Sequence, residues 1–177
     1  MIGPIPPGFR FYKALIAEIA VGYLLPPPLV AALVWQESAF QTNAFRFEPD
    51  FWNRYLKANG KYRHLNPHRV SSSYGLAQVM YCRVHEDKLT DNDALPPEHL
   101  FVPEHGLRTG CQLLRELIDW AGQQTDDPGV VTLAALAAYN GGRGGNNPKS
   151  NWPLRNAKYA REVLDRVPVM EKAYGAG

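Results

Sequence analysis

Apolar positions recur at helical spacing along most of the chain, and no stretch alternates cleanly with period two over six residues. Residues 9–25 carry Phe11, Leu15, Ile16, Ile19 and Ala20 at that spacing, and Pro26, Pro27 and Pro28 stop the helix they predict. Pro28 suits the first turn of the next helix, within which Leu29–Ser38 reads LVAALVWQES. Val30, Leu33, Val34 and Glu37 stand at i, i+3, i+4 and i+7, so one carboxyl ends an otherwise apolar face. Residues 40–47 mix polar and aromatic side chains and read as loop. Further helices are expected over 49–59, with Phe51, Trp52, Tyr55 and Leu56 on one side, and over 73–86, with Leu76, Val79, Met80 and Val84 as the stripe. The same spacing predicts helices over 106–121, through Leu107, Cys111, Leu114 and Ile118, and over the alanine-rich 130–139, opened by Asp127-Pro128. A last helix covers 155–167, and residues 174–177 read as a loose tail. Residues 61–72, 87–103 and 141–152 read as loops by composition. The fold class is mainly α, one domain over residues 1–177.

Length and composition narrow the function without naming it. A chain of 177 residues with 45% hydrophobic and 20% charged side chains has room for one sizeable core. A formal charge of +2 gives no argument for nucleic acid and does not oppose an anionic polymer such as a cell wall. The apolar stretches are interrupted by Lys13, Glu18 and the three prolines, so no membrane span is expected. The N-terminal residues lack a basic region followed by an apolar one, so no signal peptide is read there. Two cysteines, Cys82 and Cys111, make no disulfide framework, and their pairing is left open.

The chemistry narrows by elimination. His64 and His68 are four apart but lack an HExxH acid, and Cys82 with His85 adds only a second loose pair; no metal and no cofactor are expected. Ser71-Ser72-Ser73-Tyr74-Gly75 is not a nucleophile elbow. The glycines of 141–145 lack the Gly-Lys-Ser/Thr ending of a phosphate loop. Carboxylates remain. At the end of an apolar face, Glu37 is either a helix-end glutamate turned back to water or a carboxyl where the core opens into a cleft; in the second case it is penalised as an anion, holds its proton to higher pH and suits a general acid. Glycoside hydrolysis commonly uses a second carboxylate, for which Glu48 and Asp50 are the candidates. Asp50 reads better as a charge at a helix start, whereas Glu48, among Phe45, Arg46 and Phe47, suits either a cap or a cleft.

Four blocks in order resemble the soluble lytic transglycosylase domain: Glu37-Ser38 closing an apolar helix, Ser73-Tyr74-Gly75-Leu76-Ala77-Gln78, Ala138-Tyr139-Asn140-Gly141-Gly142, and Tyr159 in the last helix. The resemblance covers roughly residues 11–167, with Pro103 and Gly110 in a looser fifth block. It implies a single lysozyme-like domain with a substrate groove, acting on peptidoglycan glycan strands at the bacterial cell wall, in the periplasm. Glu37 would be the single catalytic acid/base, cleaving the MurNAc–GlcNAc bond with formation of 1,6-anhydro-MurNAc ends. Ser38, Ser73, Gln78, Tyr139, Asn140 and Tyr159 would contact substrate or line the acid's pocket, with Tyr159 the hydrogen-bond partner of Glu37. With no signal peptide read, delivery by a phage particle (as for a phage endolysin), a holin or a secretion apparatus is the expectation; the domain is taken as a monomer. Two departures matter. Ala77 stands where the family usually has methionine, which implies a roomier cleft wall. Residues 41–70 form a longer connecting segment than in many members, able to bring aromatic platforms such as Trp52, or Glu48 as a second carboxylate, to the groove. The alternatives are a hydrolytic muramidase with Glu48 as base, and a wall-binding structural component of a virion or secretion machine.

Overall fold

The computed structural model describes residues 2–82 and 96–175. Its centre is α2, Pro27–Ser38, in which every residue from Leu29 to Trp35 is buried. The expected one-sided stripe is therefore a helix apolar on all sides, as suits an element enclosed by others. It packs on α1 (Phe9–Gly22) and on the last helix, α7 (Ala157–Gly175). Two further helices, α5 (Pro103–Gly122) and α6 (Pro128–Gly141), pack on each other, with α5 also meeting α1 and α6 meeting α7. Full burial of side chains such as Leu33, Leu114, Leu117 and Leu136 stabilises this bundle by roughly 1.5–3 kcal/mol each.

The ends of these helices follow local rules. Pro27 and Pro28 occupy the first turn of α2, where a missing N–H costs nothing. Asp127 caps α6, its Oδ1 accepting from the N–H groups of Gly129 and Val130 at 2.8 and 3.1 Å. The stripe of α1 differs from expectation at Phe11, which is 67% exposed, while Phe9, Ile16, Ile19 and Ala20 are buried. Helix α7 runs past Pro168 to Gly175, well beyond the expected end. Met170 is fully buried, Tyr174 packs edge-on against Phe9 and donates to the Lys13 carbonyl at 3.1 Å, and Lys13 Nζ donates to the Ala173 carbonyl at 2.8 Å. These long-range contacts hold the turn that a proline would otherwise end and tie down Tyr174, which the sequence placed in a loose tail.

The stretch 73–82 departs most from its helical expectation. Residues Ser72–Tyr74 form β2, paired antiparallel with β1 (Phe45–Phe47) on one side and β3 (Val79–Met80) on the other. The register sets Phe45 opposite Tyr74, Arg46 opposite Ser73, and Tyr74 opposite Val79. Gly75 turns the chain at φ +70°, under the Leu100 carbonyl, where an added Cβ would lie 2.2 Å from the oxygen. Gln78 also adopts a positive φ, +47°. A tight hairpin thus buries Leu76 and Val79, which fit a helical stripe equally well. Residues 83–86 of the expected helix, with His85, lie outside the described residues. Phe45–Phe47, read as loop, supplies the edge strand.

The segment 41–70 is also more broken than its pattern suggests. The helix expected over 49–59 is one turn, α3 (Pro49–Phe51), running into a π-helical turn over Trp52–Leu56. Leu56 is buried, and Trp52 packs against the core. A second short helix, α4 (Pro67–Val70), is capped by Asn66, whose Oδ1 accepts from the His68 N–H at 2.9 Å. Cys111 is buried on the core face of α5 and forms no disulfide, so the two cysteines do not bridge, and burial pushes its pKa up to about 12.

Candidate active site

Helix α2 ends at Ser38, and the two residues after it, Ala39 and Phe40, both adopt left-handed backbone at φ +49° and +62°. Such conformations cost a non-glycine residue about 1–2 kcal/mol. They persist because Phe40 is buried and packs against Phe9 at 5.4 Å between ring centroids. The sharp exit turns the chain away immediately after Glu37 and leaves the carboxyl at the mouth of a groove of about 570 Å³. Trp35, Gln36, Glu37 and Ser38 from α2 line it, with Gln41, Asn43, Phe45 and Arg46 from the segment leading through β1 and Gln78 from the β2–β3 turn.

Glu37 is the perturbed acid of this groove. Its carboxylate accepts a hydrogen bond from the Tyr159 hydroxyl of α7. Burial raises its pKa from an ordinary 4.5 to about 7; the Tyr159 bond and the Arg46 charge pull it down, and Glu48 pushes it up. Near neutrality the group therefore exists in both forms, as a residue that first gives and then takes a proton requires. Tyr159 is held far above its ordinary phenol range by burial and by the neighbouring carboxylate, so it remains a hydrogen-bond donor. Tyr139, from α6, is likewise raised by burial and by Glu37, but its hydroxyl donates to the Ala77 carbonyl at 2.7 Å.

The other sequence-derived site residues divide by what their polar atoms touch. Ser38 Oγ lies 2.8 Å from the Leu76 carbonyl and 3.2 Å from that of Val34, so it fastens the hairpin turn to α2. Gln78 is buried at the groove wall, its Nε2 donating to the carbonyls of Ala44 and Gly75, both at 3.0 Å. Ser73 is buried within β2, opposite Arg46, and is not among the groove-lining residues. Asn140 is exposed at the end of α6, and its Oδ1 accepts from Asn156 Nδ2 at 2.7 Å. Asn156 in turn bonds Asn146 through its N–H, at 2.8 Å, so this asparagine cluster closes the 141–156 loop. Ala77 is not a cleft wall: it is buried, and its Cβ faces Gly110 of α5, where a side chain on the glycine would come within 2.5 Å.

Glu48 lies close enough to raise the pKa of Glu37, yet its carboxylate is ion-paired with Arg46 Nε. Trp52, the expected aromatic platform, is turned to the core, and Phe45 lines the groove instead. Phe45, Gln41 and Asn43 also line the groove, in a stretch whose mixed polar and aromatic pattern reads as loop. The signal that marks Phe45 is the aromatic–basic–aromatic–acidic run Phe45-Arg46-Phe47-Glu48, short enough to pass for loop. Among the described residues no three His, Cys, Asp or Glu side chains gather as a metal site.

A mainly α bundle with a small three-stranded sheet, bearing a partly buried acid at the exit of its central helix, is a lysozyme-like fold. The chain belongs to the transglycosylase SLT domain family, whose model matches residues 14–164. Among solved structures it is similar to the X-ray structure of an inactive mutant of the lytic transglycosylase Slt from Pseudomonas aeruginosa. That match has a TM-score of 0.64 at 19% identity and covers 93% of this chain but 24% of the other, so the chain spans about a quarter of that protein's length. No curated protein matches the chain in sequence.

Proposed function

We propose that this domain is a peptidoglycan lytic transglycosylase with Glu37 as its single acid/base. The observation that carries the reading is the Glu37 carboxyl, partly buried in the groove lining and bonded by Tyr159, with desolvation pushing its pKa up to about 7. Protonated Glu37 gives its proton to the oxygen of the MurNAc–GlcNAc bond, and the leaving sugar departs as an alcohol. The resulting carboxylate then takes the proton of the muramic C6 hydroxyl, whose oxygen closes on C1 to give the 1,6-anhydro end. Proton and bond counts balance with no water consumed. Tyr159 steadies the carboxylate in both steps. Gln78, its nitrogen committed to backbone, leaves its carbonyl oxygen to accept from a sugar N–H or hydroxyl. Ser38 acts through the turn it fastens rather than by touching sugar. We place Ser73 and Asn140 in the frame of the site, behind the groove lining. The wall polymer is the substrate, and the bacterial cell wall the place of action.

Digestion of purified peptidoglycan followed by mass spectrometry tests this. Anhydro-muramic ends are expected, and Glu37→Gln should abolish lysis while wall binding persists. Reducing ends would instead favour a hydrolytic muramidase. One observation keeps that second reading in play: the carboxylate of Glu48 is felt at Glu37. Against it stands the Arg46 pair, which occupies the would-be base. Full activity of Glu48→Gln would remove the hydrolytic reading.

A further inference from the structure

Gln36, Gln41, Asn43, Arg46 and Gln78 make much of the groove wall polar, and of its two aromatic residues Trp35 is buried. Phe45 is the other. It is half exposed, at 50%, although large apolar side chains in a polar cleft gain nothing from water. Its position is built rather than incidental. It sits on the edge strand β1, directly opposite Tyr74 on β2. The Tyr74 ring is buried and meets Phe45 edge-on at 5.3 Å and 73°. On its other side Tyr74 meets Phe101 at 5.3 Å and 66°, and its hydroxyl donates to the Arg69 carbonyl at 2.9 Å. The Phe45 ring is thus braced by a fixed aromatic pair, while half of the residue's surface stays exposed where it lines the groove with Glu37.

We propose that Phe45 is a stacking platform for a pyranose ring of the glycan, next to the bond that Glu37 cleaves. A β-1,4-linked N-acetylhexosamine suits such a surface. Its ring carbons present an apolar C–H face, while its hydroxyls and acetamido group point outward to the amides of Gln41 and Asn43. Stacking of this kind selects a flat, equatorially substituted sugar and fixes its height above the ring. The inference rests on the glycan-cleaving reading above and adds a specificity-determining residue to it.

Binding of the β-1,4-linked N-acetylglucosamine tetramer, measured by calorimetry in the non-cleaving Glu37→Gln protein, gives the test. Phe45→Ala and Phe45→Leu should each weaken binding about tenfold, the scale of one lost ring contact, and Phe45→Trp should retain it. In the active protein, the alanine and leucine changes should raise KM for soluble glycan strands and leave kcat within about twofold. Leucine keeps the bulk against Tyr74, so a loss shared by leucine and alanine but spared by tryptophan identifies the flat ring rather than packing. Binding by Phe45→Leu equal to that by phenylalanine, or a change confined to kcat, overturns the platform while the transglycosylase reading stands. A protein that lyses no wall, with Phe45 intact, overturns both.

Discussion

At the residue scale, the decisive feature is how Glu37 and Tyr159 share one proton network. The tyrosine hydroxyl donates to the carboxylate, which favours the ionised form and offsets part of the desolvation of burial. Replacing Tyr159 with phenylalanine removes that donor. The expected outcome is a higher pKa for Glu37, so the alkaline limb of the pH–rate profile moves to higher pH. At the same time kcat should fall by roughly 10–100-fold, because the acid loses its fixed rotamer. A pH series of initial lysis rates checks both; an unmoved limb would mean that the hydroxyl does not bond the acid in solution. None of this network was visible along the chain except its two ends. Glu37 was marked by the apolar face before it. Tyr159 was named only through family resemblance, because 122 positions separate the two side chains and no local pattern links them.

At the element scale, two backbone positions show tertiary contact overruling propensity in opposite senses. Gly110 lies inside α5, where alanine would ordinarily stabilise by about 1 kcal/mol. Here a methyl group would come within 2.5 Å of Ala77 Cβ and 3.1 Å of the Tyr139 hydroxyl. Gly110→Ala should therefore destabilise, by about 1–3 kcal/mol in chemical denaturation. Ala39 is the reverse case. It ends α2 in left-handed backbone, where glycine belongs, so Ala39→Gly should raise stability by about 1 kcal/mol. Helices α5 and α6 were legible because a long amphipathic run, or an alanine-rich run opened by Asp127-Pro128, admits few other structures. The hairpin over 72–80 was not. Two- and three-residue strands carry too little alternation to register, and the turn that makes them depends on Leu100, which lies beyond the hairpin in sequence.

At the scale of the whole molecule, burying an acid has a cost that the fold must carry. Between pH 4.5 and about 7 the unfolded chain has released the Glu37 proton while the folded chain keeps it. The unfolded state then binds fewer protons, so stability falls as pH rises across that window, by on the order of 3 kcal/mol, and is level above it. Glu37→Gln carries no such charge. Denaturant unfolding at pH 4 and pH 8 should show the variant gaining on the parent by about that amount at the higher pH. A gap that does not change with pH would mean the carboxyl is solvated. What the sequence by itself determined was the mainly helical class and the starts of the long helices within a few residues, since each is written in local spacing and composition; it also singled out Glu37 as the candidate acid. Tertiary structure alone decided which chemistry surrounds that acid. The bond from Tyr159, the commitment of Ser38 and Gln78 to backbone, the turning of Trp52 inward and of Phe45 outward all depend on contacts between distant segments. Local spacing reports which face of an element is apolar, not which neighbour that face will meet.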